Sequence, residues 1–127
     1  MRLVIVRHAE AAAGQPDELR TLTSEGREQA RRLGEQLRAE GISPAAIVCS
    51  PLLRARETAS ALGLGEPEVD ERLAPGATPD DVRAVAEGRG ATIVVVGHQP
   101  DCGRAAAALG NGIEPHFPPA GHVTVEL

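Results

Sequence analysis

The amino-acid sequence predicts an α/β fold, in which residues 1–127 form a single three-layer α/β/α domain around a mainly parallel sheet. The first observation is a set of continuous apolar runs, "RLVIV", "AAIVCS" and "TIVVV", of the kind that forms strands covered on both faces. The second is that helical patterns lie between these runs, since strands that alternate with helices favour parallel pairing. A chain of this length has no room for an inserted cap domain over the sheet.

The first strand, "RLVIV", is followed by a strongly amphipathic segment, "LTSEGREQARRLGEQLRAEG". Its apolar and small residues recur at helical spacing and predict one buried face, made of Leu22, Gly26, Ala30, Leu33 and Leu37. Arg and Glu residues occupy most of the opposite face. Thr23 is predicted to cap the start of this helix, and Gly41 is predicted to end it.

Three further helices are predicted from their start signals. In "SPLLRARETASALG", Ser50 has the side chain of an N-cap, and Pro51 suits the first helical position. In "TPDDVRAVAEG", Thr78 is the expected cap and Asp81 completes a capping box. A fourth helix is predicted to start near Pro100, in "HQPDCGRAAAALG".

The remaining segments are a last strand and two loops. The closing "HVTVEL" alternates apolar and polar residues, which is typical of an edge strand. Residues 11–20 and 110–121 follow neither period and are predicted to be irregular loops. Because ligands of open parallel sheets bind beyond the carboxyl ends of the strands, the residues at those ends are the candidates for function.

Composition narrows the class of function. The chain has one aromatic residue, a Phe, and a net charge of −5, which disfavours stacking on bases and binding to nucleic acid or anionic membranes. No run of about 20 apolar residues predicts a membrane span, and no signal-type segment is recognised. We therefore expect a cytoplasmic protein without nucleic-acid or membrane partners. Cys49 and Cys102 are expected to be buried thiols, not a disulfide or a metal pair.

Four basic side chains follow the ends of three predicted strands. Arg7 and His8 end the first strand, Arg54 comes one helical turn after the second, and His98 follows "TIVVV". Since these strand ends share one edge of a parallel sheet, we expect the side chains to converge. Two guanidinium groups and two imidazoles suit a compact dianion such as a phosphoryl group, with N–H donors added by helix N-termini. No glycine-rich nucleotide-binding motif is present.

Three segments resemble the signatures of the histidine phosphatase superfamily, also called the phosphoglycerate-mutase-like family. "LVIVRHAEA" is similar to its first signature, "SPLLRARETA" to the second and "VVVGHQP" to the third, in the same order. The small size and the stretches "LRTLTSEG", "ERLAPGATPDDV" and "GHQPDCG" are most similar to the SixA-type protein-phosphohistidine phosphatases. The resemblance implies a phosphoglycerate-mutase-like fold and a hydrolase that needs neither a metal nor a cofactor.

The resemblance also implies a role for each residue at the strand ends. His8 is the expected nucleophile, with one ring nitrogen aimed at phosphorus and the other held by a main-chain carbonyl. It would take the phosphoryl group as phospho-His8, which water then hydrolyses. Arg7 and Arg54 are expected to offset charge on the phosphoryl oxygens, and a protonated His98 is expected to donate to one of them.

Other polar residues have weaker signals. Arg20 matches an arginine of the SixA-type pattern, and substrate binding and a surface ion pair are equally open for it. Gln99 is a candidate backbone N–H donor to phosphate. The rest are expected to be ordinary loop or solvent-exposed residues, namely Glu10, Arg56, His116 and His122.

A general acid is missing where ester-cleaving members of the superfamily carry one. The two places that hold a Glu or an Asp in those members are occupied here by Ala74 or Pro75 and by Gln99, which leaves Asp70 and Glu71 as substitutes. General acid catalysis contributes about 10²–10⁴-fold, and an alkoxide leaving group needs it. An imidazole, with a reference pKa of about 6.5, leaves without it. The sequence therefore predicts cleavage of the P–N bond of a phosphohistidine, on a protein or a small molecule.

Other functions stay open at the level of sequence. A small-molecule phosphomonoesterase of the same superfamily would need its acid from Asp70 or Glu71. A non-catalytic phosphate- or phosphoprotein-binding module would bind anions without forming phospho-His8. A metalloenzyme and a mutase are disfavoured, the latter because a mutase needs a closed site that retains its intermediate.

Overall fold

All 127 residues are described by the computed structural model, which builds the chain around one five-stranded sheet. The strands are β1 (Arg2–Arg7), β2 (Ala46–Cys49), β3 (Pro67–Val69), β4 (Thr92–Gly97) and β5 (His122–Glu126). They lie in the order β3-β2-β4-β1-β5, with the first four strands parallel and β5 antiparallel to β1. This confirms the mainly parallel sheet and the closing edge strand.

Two helices cover each face of the sheet. They are α1 (Ser24–Ala39), α2 (Leu53–Ala61), α3 (Pro79–Ala86) and α4 (Asp101–Leu109). Residues such as Leu37 and Ala59 pack α1 and α2 on one face, and residues such as Val85 and Ala105 pack α3 and α4 on the other. The three-layer α/β/α arrangement is confirmed, and no cap domain covers the carboxyl ends of the strands.

The two-sided burial of the sheet explains why its strands are continuously apolar. In β1, Leu3 and Ile5 face α3 and α4, while Val4 and Val6 face α1 and α2. All four side chains are at most 1% exposed. Burying each such side chain contributes about 1.5–3 kcal/mol to stability. The strand β1 is therefore held firmly in the core, and it positions the residues that follow it.

Local signals place three of the four helices as predicted. The Thr23 hydroxyl accepts a hydrogen bond from the first turn of α1, and Gly41 follows the end of that helix with a φ of +83°. Thr78 and Asp81 form the predicted capping box of α3. The fourth helix, α4, begins directly after Pro100.

The predicted start of α2 is wrong by two residues. The N-cap position of α2 is held by Leu52, not by Ser50, and no side chain caps this helix. The Ser50 hydroxyl accepts the Leu52 N–H at 3.2 Å inside the preceding turn and lies 2.8 Å from Nε2 of His98. A contact with a residue 48 positions away therefore replaces the capping role that the local sequence indicated.

Some elements lack a sequence signal. The strand β3 has only three residues, two of them exposed, and its pairing with β2 defines it rather than an apolar run. Short 3-10 helices span Asp17–Leu19 and Glu71–Leu73. The loop of residues 110–121 is irregular as predicted, yet it buries Phe117, which is 1% exposed.

The two cysteines are buried and unpaired, as predicted. Burial raises the pKa of the Cys49 thiol to about 11 and that of the Cys102 thiol to about 12. Both thiols therefore stay protonated at neutral pH. In the helices of this structure, no stretch is both long enough and apolar enough to cross a bilayer.

Candidate active site

The carboxyl ends of β1 and β4 lie side by side and bring two histidines together. Arg7 pairs with Gly97 in the parallel register, so the next residues, His8 and His98, leave the sheet at the same edge. Their ring centroids are 5.2 Å apart, and their ring planes are inclined by 59°. The two histidines therefore converge, as the strand-end argument predicts.

The His8 ring is held in one tautomer by the chain next to it. Its Nδ1 lies 2.7 Å from the carbonyl oxygen of Ala9, and because a carbonyl oxygen can only accept, Nδ1 carries a hydrogen. Burial lowers the pKa of His8 against the opposing effect of that hydrogen bond, and the charges of Arg54 and Arg7 lower it further. At neutral pH the ring is uncharged with its lone pair on Nε2, the form that a nitrogen nucleophile needs.

The His98 ring is oriented by Ser50. The Ser50 hydroxyl is fully buried, and its hydrogen needs an acceptor; of its two hydrogen-bond partners, the Leu52 N–H can only donate, so Nε2 of His98 is the acceptor. This arrangement leaves the ring hydrogen of His98 on Nδ1. Burial, followed by the charges of His8 and Arg54, lowers the pKa of His98 to about 4. Burial and the neighbouring charges therefore favour an uncharged His98 ring at neutral pH, and the protonated ring stays a prediction for the complex with a phosphoryl dianion.

Two guanidinium groups accompany His8. Arg7 donates from Nη1 to the carbonyl oxygen of Phe117 at 2.9 Å, and Arg54 donates from Nη1 to the main-chain oxygen of Asp17 at 2.9 Å. The Nε atoms of both arginines are buried without a hydrogen-bond partner in the protein. Buried donors without a partner are rare in folded proteins, and two of them on positively charged groups favour an anion as the acceptor.

Thr58 connects the loop after β1 to α2. Its fully buried hydroxyl accepts the Ala9 N–H at 2.9 Å and donates to the main-chain oxygen of Arg54 at 2.8 Å. One side chain therefore fixes the residue after His8 relative to the turn of α2 that carries Arg54.

Arg20 lies near His8 and shares one carboxylate with Arg54. It donates from Nε to the carbonyl oxygen of Ala12 at 2.8 Å and from Nη1 to Oδ1 of Asp17 at 3.1 Å. The other carboxylate oxygen of Asp17, Oδ2, lies 3.3 Å from Nη2 of Arg54. The hydrogen bond from Arg20, together with the charge of Arg54, lowers the pKa of Asp17, so this carboxylate is ionised at neutral pH. The ion-pair interpretation of Arg20 is therefore confirmed, and its contact with substrate stays a prediction.

Gln99 directly follows His98. Its side-chain Oε1 accepts the Gly103 N–H at 2.8 Å, which satisfies a donor of the first turn of α4. Its main-chain N–H makes no hydrogen bond within the protein. That N–H is the donor that the sequence analysis singled out, and it is free to bind a ligand.

The two carboxyl groups considered as proton donors, Asp70 and Glu71, are engaged elsewhere or exposed, and the buried Asp101 is also engaged elsewhere. Asp70 caps the 3-10 helix after β3, and its hydrogen bonds to Arg72 hold its pKa below the usual range. Glu71 is exposed and makes no side-chain hydrogen bond. Asp101, buried at the start of α4, accepts two N–H groups of the loop before α3 at 2.9 and 3.2 Å.

The residues with weaker signals take ordinary positions. Glu10 accepts a hydrogen bond from the Thr23 hydroxyl at 2.8 Å, and Arg56 and His116 are exposed. His122, expected to be in a loop, lies instead at the start of β5. No group of three His, Cys, Asp or Glu side chains is arranged to hold a metal ion.

Three residues of the site escaped the sequence analysis. A polar side chain within a predicted buried helix face is a signal that could have identified Thr58. For Ser50, the local sequence indicated an N-cap, and no feature of it indicated the contact with His98. Asp17 lies in an irregular loop, and no pattern around it indicates a contact with Arg54.

A comparison with protein families gives a match over more than half of the chain. The model of the histidine phosphatase superfamily (branch 1) matches residues 3–78. The matched segment contains His8, Arg20 and Arg54 and ends before His98.

Comparisons with individual proteins extend over the rest of the chain. An uncharacterized protein of Picosynechococcus sp. is 35% identical, over 91% of this chain and 77% of that protein. An uncharacterized protein of Mycobacterium tuberculosis is 34% identical, over 82% of this chain and 69% of that protein. The structure of the protein histidine phosphatase SixA complexed with tungstate superimposes with a TM-score of 0.90 and 27% identity, over 100% of this chain and 88% of that one.

Proposed function

The chain belongs to the histidine phosphatase superfamily, and from this premise we propose that it hydrolyses phosphohistidine, on a protein, through a phospho-His8 intermediate. The observation that carries the proposal is the state of His8, a neutral ring with a free Nε2 beside Arg7 and Arg54. The likeness to a protein histidine phosphatase supports this substrate class. In this proposal the site residues need no metal or cofactor.

The first step is transfer of the phosphoryl group to His8. Nε2 attacks phosphorus, the P–N bond of the substrate breaks, and its electron pair stays on the departing ring nitrogen. If the other ring nitrogen already carries a proton, the substrate histidine leaves as a neutral imidazole. No group of the protein then has to supply a proton, in agreement with the engagement of Asp70 and Asp101 in other hydrogen bonds.

The charged and polar neighbours of His8 stabilise the transferred group. Arg7 and Arg54 are proposed to bind the phosphoryl oxygens, and their buried, unpaired Nε donors support this role. His98 is proposed to donate from Nδ1 as a neutral ring, held there by Ser50. Arg20 and the main-chain N–H of Gln99 are proposed as further phosphate contacts.

The second step regenerates the enzyme. Water attacks phosphorus, the bond between phosphorus and Nε2 of His8 breaks, and inorganic phosphate leaves with the oxygen of that water. The proton of the water passes to phosphate or to solvent. No cap domain lies over the strand ends, and His8 is partly exposed, so we expect water and a protein segment that carries phosphohistidine to reach its ring.

The proposal includes a cytoplasmic location, in line with two free, buried thiols that form no disulfide. Its partner is a protein that carries phosphohistidine.

The test measures phosphate release from a phosphohistidine-bearing protein and from p-nitrophenyl phosphate, both in the presence of a chelator. We expect the wild type to prefer phosphohistidine and His8→Ala to lose about 10³-fold or more of that activity. The matched control is His116→Ala, which removes an exposed histidine and should leave the rate unchanged.

Labelling identifies the intermediate. With a ³²P-labelled substrate, rapid acid-free quenching should trap label on the wild type and not on His8→Ala. Equal or faster turnover of the ester would redirect the function to a small-molecule phosphomonoesterase. Phosphate binding without turnover of either substrate would favour the binding module.

A further inference from the structure

One carboxylate is hydrogen-bonded to arginines of the candidate site. Asp17 accepts from Arg20 through Oδ1 at 3.1 Å and faces Nη2 of Arg54 through Oδ2 at 3.3 Å. Its side chain is 58% exposed, whereas that of Arg54 is 8% exposed. Asp17 is therefore a solvent-exposed carboxylate in direct contact with the buried guanidinium that the proposed function assigns to phosphate binding.

The charges of the site show what this carboxylate does to an incoming substrate. Arg7, Arg20 and Arg54 supply three positive charges, Asp17 supplies one negative charge, and the two histidines are neutral. The resulting net charge of the site, +2, equals the charge of a phosphoryl dianion with opposite sign. No positive charge is then left over to attract a second anionic group of the substrate. Without the Asp17 carboxylate, one positive charge would remain to bind such a group.

We propose that Asp17 is a specificity-determining residue, which selects phosphoryl groups carried on a neutral or cationic leaving group and disfavours substrates that bear an additional anion. The proposal rests on the phosphoryl site described under the proposed function and deepens it. It favours protein-borne phosphohistidine, whose ring is neutral or cationic, over small phosphorylated metabolites that also carry a carboxylate or a second phosphate.

The same contact sets the affinity for the phosphoryl group itself. A bound phosphoryl oxygen and the Asp17 carboxylate compete for the outward N–H groups of Arg54 and Arg20. Every substrate meets this competition equally, so it lowers the affinity for the product, inorganic phosphate, without discriminating between leaving groups. Discrimination comes from the Coulomb interaction of Asp17 with the rest of the substrate, which solvent screens only in part at the mouth of a site.

Binding of non-hydrolysable phosphonates tests the proposal without any turnover. Three ligands share the phenylphosphonate core and differ in charge: phenylphosphonate itself, its 4-carboxy derivative and its 4-aminomethyl derivative. Calorimetry at pH 8 and low salt is expected to give the order aminomethyl, unsubstituted, carboxy from tightest to weakest for the wild type. In Asp17→Asn, all three ligands and inorganic phosphate should bind more tightly, and the ratio between aminomethyl and carboxy ligands should shrink about three- to tenfold.

Two further variants separate charge from structure. Glu18→Gln removes the same charge at the next position, where the side chain is exposed and makes no hydrogen bond or ion pair with either arginine, and should keep the wild-type order. Asp17→Glu keeps the charge and should keep the order as well.

The outcomes distinguish this proposal from the function on which it rests. An unchanged ligand order in Asp17→Asn, with phosphate still binding, would overturn the role of Asp17 alone. An equal effect of Glu18→Gln would also overturn it, because the overall electrostatic field of the protein, and not Asp17 itself, would then explain the order of ligand affinities. Failure of the wild type to bind inorganic phosphate or any phosphonate would overturn the phosphoryl site and the proposal together.

Discussion

At the scale of single residues, the two histidines have the same charge for the same main reason but opposite free nitrogens. The Ala9 carbonyl fixes the hydrogen of His8 on Nδ1, so Nε2 is the free base. The Ser50 hydroxyl occupies Nε2 of His98, so Nδ1–H is the free donor. One ring can attack phosphorus and the other can bind an oxygen, although both are neutral imidazoles.

The protonation of these rings is directly measurable. In phosphate-free buffer, we expect NMR titration to give a midpoint below 6.5 for His8 and a midpoint near 4 for His98. The sign follows from burial, which disfavours the charged form, so each ring stays neutral as the pH falls below 6.5. As a consequence, we expect kcat/KM to fall on the acid side only when the pH drops through the lowered pKa of His8, where the ring becomes protonated and can no longer attack. A midpoint above 6.5 for either ring would contradict the assigned environment.

Removal of the Ser50 hydroxyl should act through His98. In Ser50→Ala, the buried Nε2 loses its partner, and we expect kcat/KM to fall about tenfold and the free energy of unfolding to fall by about 1–3 kcal/mol. Long-range ¹H–¹⁵N spectra should show that the preference for the Nδ1–H tautomer of His98 is lost. Ser43→Ala, at an exposed position, is the matched control. If the tautomer and the rate both persist in Ser50→Ala, Ser50 is not a positioning residue.

At the scale of elements, α1 holds the loop that follows His8. A Cβ added at Gly26 would lie 2.1 Å from the main-chain oxygen of Glu10. That oxygen also accepts the Thr23 N–H at 3.0 Å, so the start of α1 and the loop are in contact through backbone atoms. Glycine is required at this position because of the close approach and not because of its φ.

Substitution at this contact should damage both stability and the site. For Gly26→Ala, the gain in helix propensity, about 1 kcal/mol, is opposed by the displacement of a backbone segment. We expect a net loss of about 2–3 kcal/mol in the free energy of unfolding, together with reduced phosphate release. Chemical denaturation and the phosphohistidine assay measure the two effects.

A second glycine in the same region provides the control. A Cβ at Gly14 would meet nothing closer than Cγ of Arg20 at 3.9 Å, so Gly14→Ala should change stability by less than about 0.5 kcal/mol. A stabilised Gly26→Ala variant would show that the loop yields without cost and that α1 does not position it.

At the scale of the whole molecule, anion binding should be linked to global stability. The site joins residues from β1, α2 and the segments after β4 and before α1, so an anion that bridges them binds only the folded chain. A ligand at 100 times its Kd stabilises by about 2.7 kcal/mol. For a chain of 127 residues, that corresponds to an increase in Tm of roughly 10 °C.

Thermal unfolding with increasing tungstate checks this linkage. We expect the wild-type Tm to rise and the Tm of Arg54→Ala to stay nearly constant. Arg104→Ala removes an exposed guanidinium of α4 outside the site and should respond like the wild type. An equal response in Arg54→Ala would mean that tungstate acts on the general surface of the protein and not at this site.

The architecture and the candidate residues at the strand ends can be predicted from the amino-acid sequence alone. The runs that became β1, β2 and β4, the helix caps at Thr23 and Thr78, and the positions of Arg7, His8 and His98 at strand ends are all local or periodic features. Such features can be predicted because burial on both faces of a sheet and the spacing of a helix act on residues close in the chain.

The contacts that hold the candidate site, and the burial that sets its charges, exist only in the folded chain. Ser50 bonds to a residue 48 positions away, Thr58 to one 49 positions away, and Asp17 to one 37 positions away. Burial between the packed segments then lowers the pKa of His98, and no local pattern around His98 predicts this. These contacts escape a reading of the sequence because each depends on the distance between segments brought together by folding, for which the chain carries no local pattern.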